Sequence, residues 1–454
     1  MPMQNELPKQ GLSIDPRELA AMREEFFADR ANRSAMRAVT NAGLAAAARD
    51  PLTVGQQRHH FSVNVKQGNI TNQKQSGRCW MFAALNTMRF AVMQRFNLET
   101  FEFSQNYPLF YDKLEKANSF LENILATLDE QTDSRLIAHL LSEPMGDGGQ
   151  WDMFCALIEK YGAVPKDVMP ETSCSSATRE MDRVLTHKLR EYACVLRSAH
   201  SDGQDAESLR AQKRAMLGEV YRILAICLGV PPQVFTFEAR DRDDNFIRQS
   251  DVTPQEFFRN SVGWDLSDYV SLINAPTADK PYFRTYGVKF LSSVYEGRPV
   301  RYLNLPIEQL KEAAIAQLKD GRPVWFGCDV GQSSIREGVM DPDVLRYDEL
   351  LGVKFTLDRG QRLEYHQSLM THAMVLLGVN LDEDGHPTRW RVENSWGKDA
   401  GADGYYVMSD EWFDEYLYQI VVDKKYLPRE TAALLSQEPI MLEPWDPMGS
   451  LALV

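Results

Sequence analysis

Four residues have the types needed for thiol-based acyl transfer: Cys79, His372, Asn394 and Gln73. A thiol attacks a carbonyl as its thiolate, and a helix N-terminus or an adjacent imidazolium stabilises that anion. Cys79 opens a helical pattern that runs from Trp80 to Met93, and His372 can supply the imidazolium. The imidazole must be held in one orientation and tautomer, and an Asn carbonyl accepts its second N–H without adding negative charge. Asn394 suits that role. Attack on an amide creates an oxyanion, and Gln73, six residues before Cys79, can donate a side-chain N–H beside the backbone N–H of Cys79. Singly, each residue has a plainer reading: a cysteine opening a buried helix is usually a packed small hydrophobe, and a strand histidine a satisfied core residue. Their joint occurrence in Gln73-Lys74-Gln75-Ser76-Gly77-Arg78-Cys79-Trp80, Thr371-His372-Ala373 and Asn394-Ser395-Trp396-Gly397 favours chemistry.

Positioning these groups requires particular elements. His372 to Val379 is an apolar run and Trp390 to Asn394 alternates, with a turn at Asp382-Glu383-Asp384-Gly385, so the two predict a hairpin. Centring the turn on Glu383 gives facing residues a constant sum of 766 and sets His372 nearly opposite Asn394 unless a bulge shifts the register. Upstream, Asp15-Pro16-Arg17-Glu18 predicts a capped helix whose Leu19, Met22 and Phe26 stripe packs on another element. After Asp50-Pro51 the sequence reads as loop and short strand up to Cys79. Phe101 to Tyr161 is mostly helical, broken by a turn at Met145-Gly146-Asp147-Gly148-Gly149 before Gln150 and Trp151. Ser173 to about Asn274 reads as long charged helices, including Ala206 to Leu228, and looks like an insertion. Ile307, Leu310, Ala314 and Leu318 mark a helix leading into a strand Val324 to Cys328, and strands dominate the last third. Ser436 to Val454, with Pro439, Pro444 and Pro447, reads as an extended arm.

At 454 residues the protein exceeds one ordinary core, and 44% hydrophobic with 25% charged residues marks it as folded. Fifty Lys and Arg against 64 Asp and Glu give a net charge of -14, the wrong sign for nucleic acid or an anionic membrane. The apolar runs Ile223 to Val230 and Ala373 to Val379 fall short of the ~18–20 residues of a bilayer span. The opening Met-Pro-Met-Gln-Asn-Glu lacks the features of a secretory signal, so a cytoplasmic protein is expected. The six cysteines show no paired metal spacing, and His59, His60 and His366 lack partners at ligand spacing. The Gly146 to Gly149 cluster has neither a phosphate-loop Lys-Ser/Thr nor a dinucleotide fingerprint. No metal and no cofactor are expected. Thiol chemistry of this kind leaves amide hydrolysis and acyl transfer to another amine both open, and a non-catalytic nucleic-acid-binding scaffold is the reading from another class.

The strings around Cys79, His372 and Asn394 resemble the papain superfamily of cysteine peptidases. His372 follows Cys79 by 293 residues, against roughly 130 to 150 in papain-like enzymes, so a large insertion separates the two halves. That length, Gly148-Gly149-Gln150-Trp151-Asp152-Met153-Phe154 and Trp445-Asp446-Pro447-Met448-Gly449 resemble the bleomycin hydrolase and aminopeptidase C family over essentially the whole sequence. The resemblance implies an α+β, papain-like two-lobed core with large helical insertions and a C-terminal arm. The expected segments are an N-terminal helical segment 1–54, a lobe with the nucleophile 55–172, a helical oligomerisation insertion 173–295, a β lobe 296–435 and the arm 436–454. It implies a cytosolic aminopeptidase acting on peptides with a free N-terminus, and a homohexamer. Trp80 and Trp396 would support the site, with Trp396 shielding the His372–Asn394 hydrogen bond, and Gly148 and Gly149 would border the substrate. The arm would enter the cleft and present a terminal carboxylate to the substrate amine. Ala452 and Val454 are the candidate anchors. Relatives tend to end near Ala452, so trimming of Leu453 and Val454 is expected, and Ser450 stands where Ala is more usual.

Overall fold

The computed structural model describes residues 13–66 and 68–451. The protein forms two compact units, one of residues up to Gln56 with Asp343–Thr356, the other of Gln57–Pro342 with Leu357 onward. In the smaller unit, Asp15 caps the helix Pro16–Ala28 with a complete capping box, as the sequence predicts. The packing expected of that helix is not found: none of its residues is buried, and Leu19, Met22 and Phe26 stay exposed. This unit is closed instead by backbone hydrogen bonds, Arg346 N–H to Ala48 C=O at 2.7 Å and Asp50 N–H to Val344 C=O at 3.1 Å.

The larger unit is organised by one mixed sheet. Its central strands run in the order Tyr269–Ile273, Leu417–Asp423, Val324–Cys328, His372–Leu381, Pro387–Glu393 and Tyr405–Ser409. Side chains alternate between the two faces of a strand, and the His372 strand shows it. Ala373, Val375 and Leu377 join the core containing the helix Cys79–Arg95, whereas Met374 and Leu376 join the core under the helix Ile307–Lys319. The Cys79 helix is therefore pressed against one face of the strand that begins at His372. It is buried nearly all round, as its run of Ala, Met and Phe requires.

The hairpin exists, but its register departs from expectation by two residues. Val375 faces Glu393 and Leu376 faces Val392, with a bulge between Leu376 and Gly378. The turn is centred on Asp384 because Asp382 organises a longer loop: its carboxylate accepts the N–H groups of Asp384 and His386, and its own N–H donates to His386 C=O at 2.9 Å. On the His372 side of the bulge the shift of two residues keeps the side chains on their expected face, whereas past it Gly378 pairs with Arg391 and Val379 with Trp390, a shift of three.

The inserted segment is helical through Arg179–Ser201 and Ala206–Leu228, the latter stopping at Gly229 as expected. It then departs from the helical expectation. Phe235–Arg240 and Phe246–Val252 form a separate hairpin, and Tyr269–Ile273 and Arg284–Val288 enter the main sheet. Val270 pairs with Val422, a partner more than a hundred residues away that composition cannot reveal. The arm begins as a strand, Ile440–Leu442, added in parallel to Arg284–Val288. No helix among the described residues is long and apolar enough to cross a membrane.

Candidate active site

Cys79 is the first residue of its helix, with Arg78 at the cap. The loop before it is held rigidly. Arg78 donates from both terminal nitrogens to Glu171, at 3.0 and 2.8 Å, and from Nε to the Ser76 hydroxyl at 2.9 Å. Ser76 in turn donates to Gln73 C=O at 2.7 Å. Gln73 is fixed from three sides: its backbone N–H donates to Ser395 C=O at 2.8 Å, its Oε1 accepts the Ser395 hydroxyl at 2.6 Å, and its Nε2 donates to Ser76 C=O at 2.7 Å. The Cys79 loop is thereby tied directly to the strand end carrying Asn394.

His372 and Asn394 lie on one face of the hairpin, and the His372 Nε2–H donates to Asn394 Oδ1 at 2.9 Å. The same oxygen accepts the Ser395 N–H at 2.8 Å, which identifies it as the carbonyl oxygen. Nε2 therefore carries a proton, and Nδ1 is the basic nitrogen of the neutral ring. The Trp396 indole covers this pair, its centroid 4.8 Å from the imidazole. Gly397 has φ +80°, and a Cβ there would come within 2.5 Å of Asn72 Nδ2, so the last residue of Asn394-Ser395-Trp396-Gly397 must be glycine for backbone reasons.

The Cys79 sulfur accepts the backbone N–H of Ala373, which places it beside the start of the His372 strand. Cys79 and His372 are fully buried, and Asn394 and Gln73 nearly so. Burial pushes the Cys79 thiol up to about 12, against the opposing N–H groups of Ala373, Trp80 and Cys79 itself. A helix N-terminus stabilises a nearby anion by about 0.3–1 kcal/mol, less than one pKa unit. The helix end alone cannot overcome that burial. A thiolate in this site at neutral pH requires transfer of its proton to a base in the same enclosure.

Of the other expected residues, Trp80 is buried, its indole N–H donating to Asp147 C=O at 2.7 Å and its own C=O accepting Trp325 Nε1–H at 3.1 Å. Gly149 packs on that indole, where a Cβ would lie 2.4 Å from Trp80 Cε2. Gly148 C=O accepts Lys116 Nζ at 2.6 Å. The arm reaches this region: Ser450 C=O accepts Gln150 Nε2–H at 2.7 Å, and its hydroxyl donates to Met370 C=O at 2.8 Å. Ser450 thus spans from the turn after Gly149 to the segment before His372. Ala452, Leu453 and Val454 lie outside the described residues.

Sequence reasoning missed several supports. Asn86 and Arg89, on the Cys79 helix, both donate to the buried Glu393 carboxylate, at 2.9 and 2.7 Å, locking the helix to the residue before Asn394. Arg78 and Ser395 lie inside the quoted strings, and a buried arginine demands a carboxylate, but Glu171 could not be chosen from spacing. The candidate metal-ligating side chains found together among the described residues, Asp382, Asp384 and His386, are exposed at the far end of the hairpin from His372.

Comparison with known proteins shows the family. The Peptidase C1-like family model matches residues 13–449. Aminopeptidase C of Streptococcus thermophilus is 51% identical over 393 residues, 86% of this chain and 88% of that relative. Human bleomycin hydrolase is 44% identical over 410 residues, 88% of this chain and 90% of the relative. The crystal structure of PepW from Lactobacillus rhamnosis superposes with a TM-score of 0.96 at 50% identity, covering 97% of this chain and all of that one. Thiol, imidazole and amide come together across a helix and a sheet that match in fold as well as in sequence, and the protein belongs to the Peptidase C1-like family.

Proposed function

We propose that this protein is a cysteine aminopeptidase in which Cys79 is the nucleophile, His372 the acid and base, Asn394 the residue that orients His372, and Gln73 an oxyanion donor. The observation that carries the assignment is the 2.9 Å His372–Asn394 hydrogen bond beside a Cys79 sulfur that accepts the Ala373 N–H. The Cys79 proton passes to His372, and the thiolate attacks the first peptide carbonyl. The backbone N–H of Cys79 and the side-chain amide of Gln73 meet the developing oxyanion. The imidazolium protonates the leaving amine, and water then hydrolyses the thioester. Trp396 keeps water from the His372–Asn394 bond, and Gly148 and Gly149 border the bound peptide. Relatives named as aminopeptidase C favour hydrolysis over acyl transfer and over a scaffold role.

Gln73→Ala is expected to lower kcat by about 10²- to 10³-fold with little change in KM, the scale of one oxyanion donor. Steady-state kinetics on a dipeptide amide tests it. Unchanged kcat removes Gln73 from this role.

The arm is assigned the exopeptidase restriction, because Ser450 bridges Gln150 and Met370 beside the segment that leads to His372. Peptides with free, N-acetylated and C-amidated ends test this. The whole enzyme should release single residues from free and C-amidated peptides and spare N-acetylated ones, and deletion of 449–454 should unmask cleavage of N-acetylated peptides. A truncated enzyme that still requires the free amine places the anchor elsewhere. The six free cysteines suit a cytoplasmic protein, and the exposed Leu19, Met22 and Phe26 stripe suits assembly of copies into a homohexamer.

A further inference from the structure

Asp147 lies on the turn before Gly148 and Gly149 and is buried. It grips the nucleophile segment at two points. Its Oδ2 accepts the buried Gly77 N–H at 2.6 Å, two residues before Cys79, and its backbone carbonyl oxygen accepts the Trp80 indole N–H at 2.7 Å, one residue after Cys79. The carboxylate also accepts the Thr178 hydroxyl and Lys113 Nζ, the latter at 2.7 Å.

The charges around this turn come from three segments. Lys113 also reaches Asp182 at 2.7 Å and Gly146 C=O at 3.0 Å. Lys116 binds Asp112 at 2.8 Å and the carbonyls of Gly146 and Gly148. Burial opposes ionisation of Asp147, yet Lys113, Thr178 and Asp182 together hold its carboxyl well below the usual range. Burial and the neighbouring Asp147 push Asp182 up to about 7 although Lys113 opposes them. Asp147 is thus the anchored carboxylate of the pair, and two lysines on one helix hold the backbone on either side of it.

We propose that Asp147 is a positioning residue for the Cys79 chemistry, fixing through Gly77 and Trp80 the loop and first helical turn from which Gln73 and Cys79 act. The inference rests on the assignment of Cys79 as nucleophile. Reacting groups displaced by about 1 Å lose roughly 10²-fold in rate, and removing the carboxylate leaves the buried Gly77 N–H without its acceptor and takes one of two carboxylates from the buried Lys113 ammonium.

Asp147→Asn, Asp147→Ala and Thr178→Val test it, with kcat expressed per Cys79 labelled by stoichiometric iodoacetamide and melting followed by circular dichroism. Asn retains an oxygen for Gly77 but no charge for Lys113, so kcat per labelled site should fall about tenfold, against about 10²-fold for Ala, with KM within about threefold in both. Thr178→Val removes one donor and no charge, and should cost about threefold in kcat; it carries the test if the Asp147 variants fail to fold. A lowered melting temperature with wild-type kcat per labelled site in Asp147→Asn and Thr178→Val means a purely structural role and overturns the inference. Cys79→Ser is measured alongside. If it still turns over, the nucleophile assignment falls and this inference with it, whereas an inactive Cys79→Ser beside a fully active Asp147→Asn overturns this inference alone.

Discussion

Cys79→Ser should lower turnover by about 10⁴-fold or more, with the fold and melting temperature preserved. The substitution shrinks the side chain slightly and leaves an atom to accept the Ala373 N–H, so packing is nearly unchanged. What is lost is ionisation: a hydroxyl is a far weaker acid than a thiol, and an imidazole in a dry site cannot deprotonate it to the same extent. Iodoacetamide labelling distinguishes this from a general disturbance. Cys194 is exposed whereas Cys79 is fully buried, so exposure alone predicts labelling at Cys194 first and an activated thiol predicts Cys79 first. Peptide mapping after a short pulse reads the order, and retained activity in Cys79→Ser would remove the thiol from the mechanism.

His372→Ala should have the second largest effect, and its pH dependence is the more specific readout. Burial raises the Cys79 thiol to about 12, so with no imidazole to take the proton the neutral thiol persists through neutral pH and the thiolate appears only as pH climbs. Labelling of Cys79 in His372→Ala should fall by about 10³-fold or more at pH 7 and rise about tenfold per pH unit from 8 to 11. The wild type should label rapidly across neutral pH. A variant whose labelling at pH 7 matches the wild type would mean that the helix end alone activates the thiol. Asn394→Ala should harm activity less, because it loosens the imidazole without removing it.

The candidate site was legible in the sequence because its residues lie in short strings. Gln73, Cys79, Trp80, Asn394 and Trp396 belong to local segments whose backbone needs show through, such as the glycine that φ +80° requires at Gly397. The hairpin was legible as a hairpin, but not its register, because Asp382 draws the backbone into a five-residue loop and a bulge follows Leu376. The two-residue error still brought His372 and Asn394 together, since an even slip preserves the face. Long-range pairing was illegible. Strand Tyr269–Ile273 finds its partner in Leu417–Asp423, and nothing within the charged insertion announces it. Buried ions were equally hidden: Lys113, Asp147 and Asp182 look like surface residues until separate segments bring them together. The Leu19, Met22 and Phe26 stripe shows the converse, an amphipathic pattern that no element of its own unit buries.

The most direct measurement is the intact mass of the enzyme, acid-quenched during turnover of an amino-acid ester bearing a free α-amine, followed by peptide mapping. Thioester chemistry at Cys79 predicts a mass gain of one aminoacyl group, located on Cys79, absent in Cys79→Ser and absent when the same ester is N-acetylated. No adduct during active turnover, or an adduct on Cys155, Cys174, Cys194, Cys227 or Cys328 in place of Cys79, would contradict the assignment of Cys79 as the nucleophile.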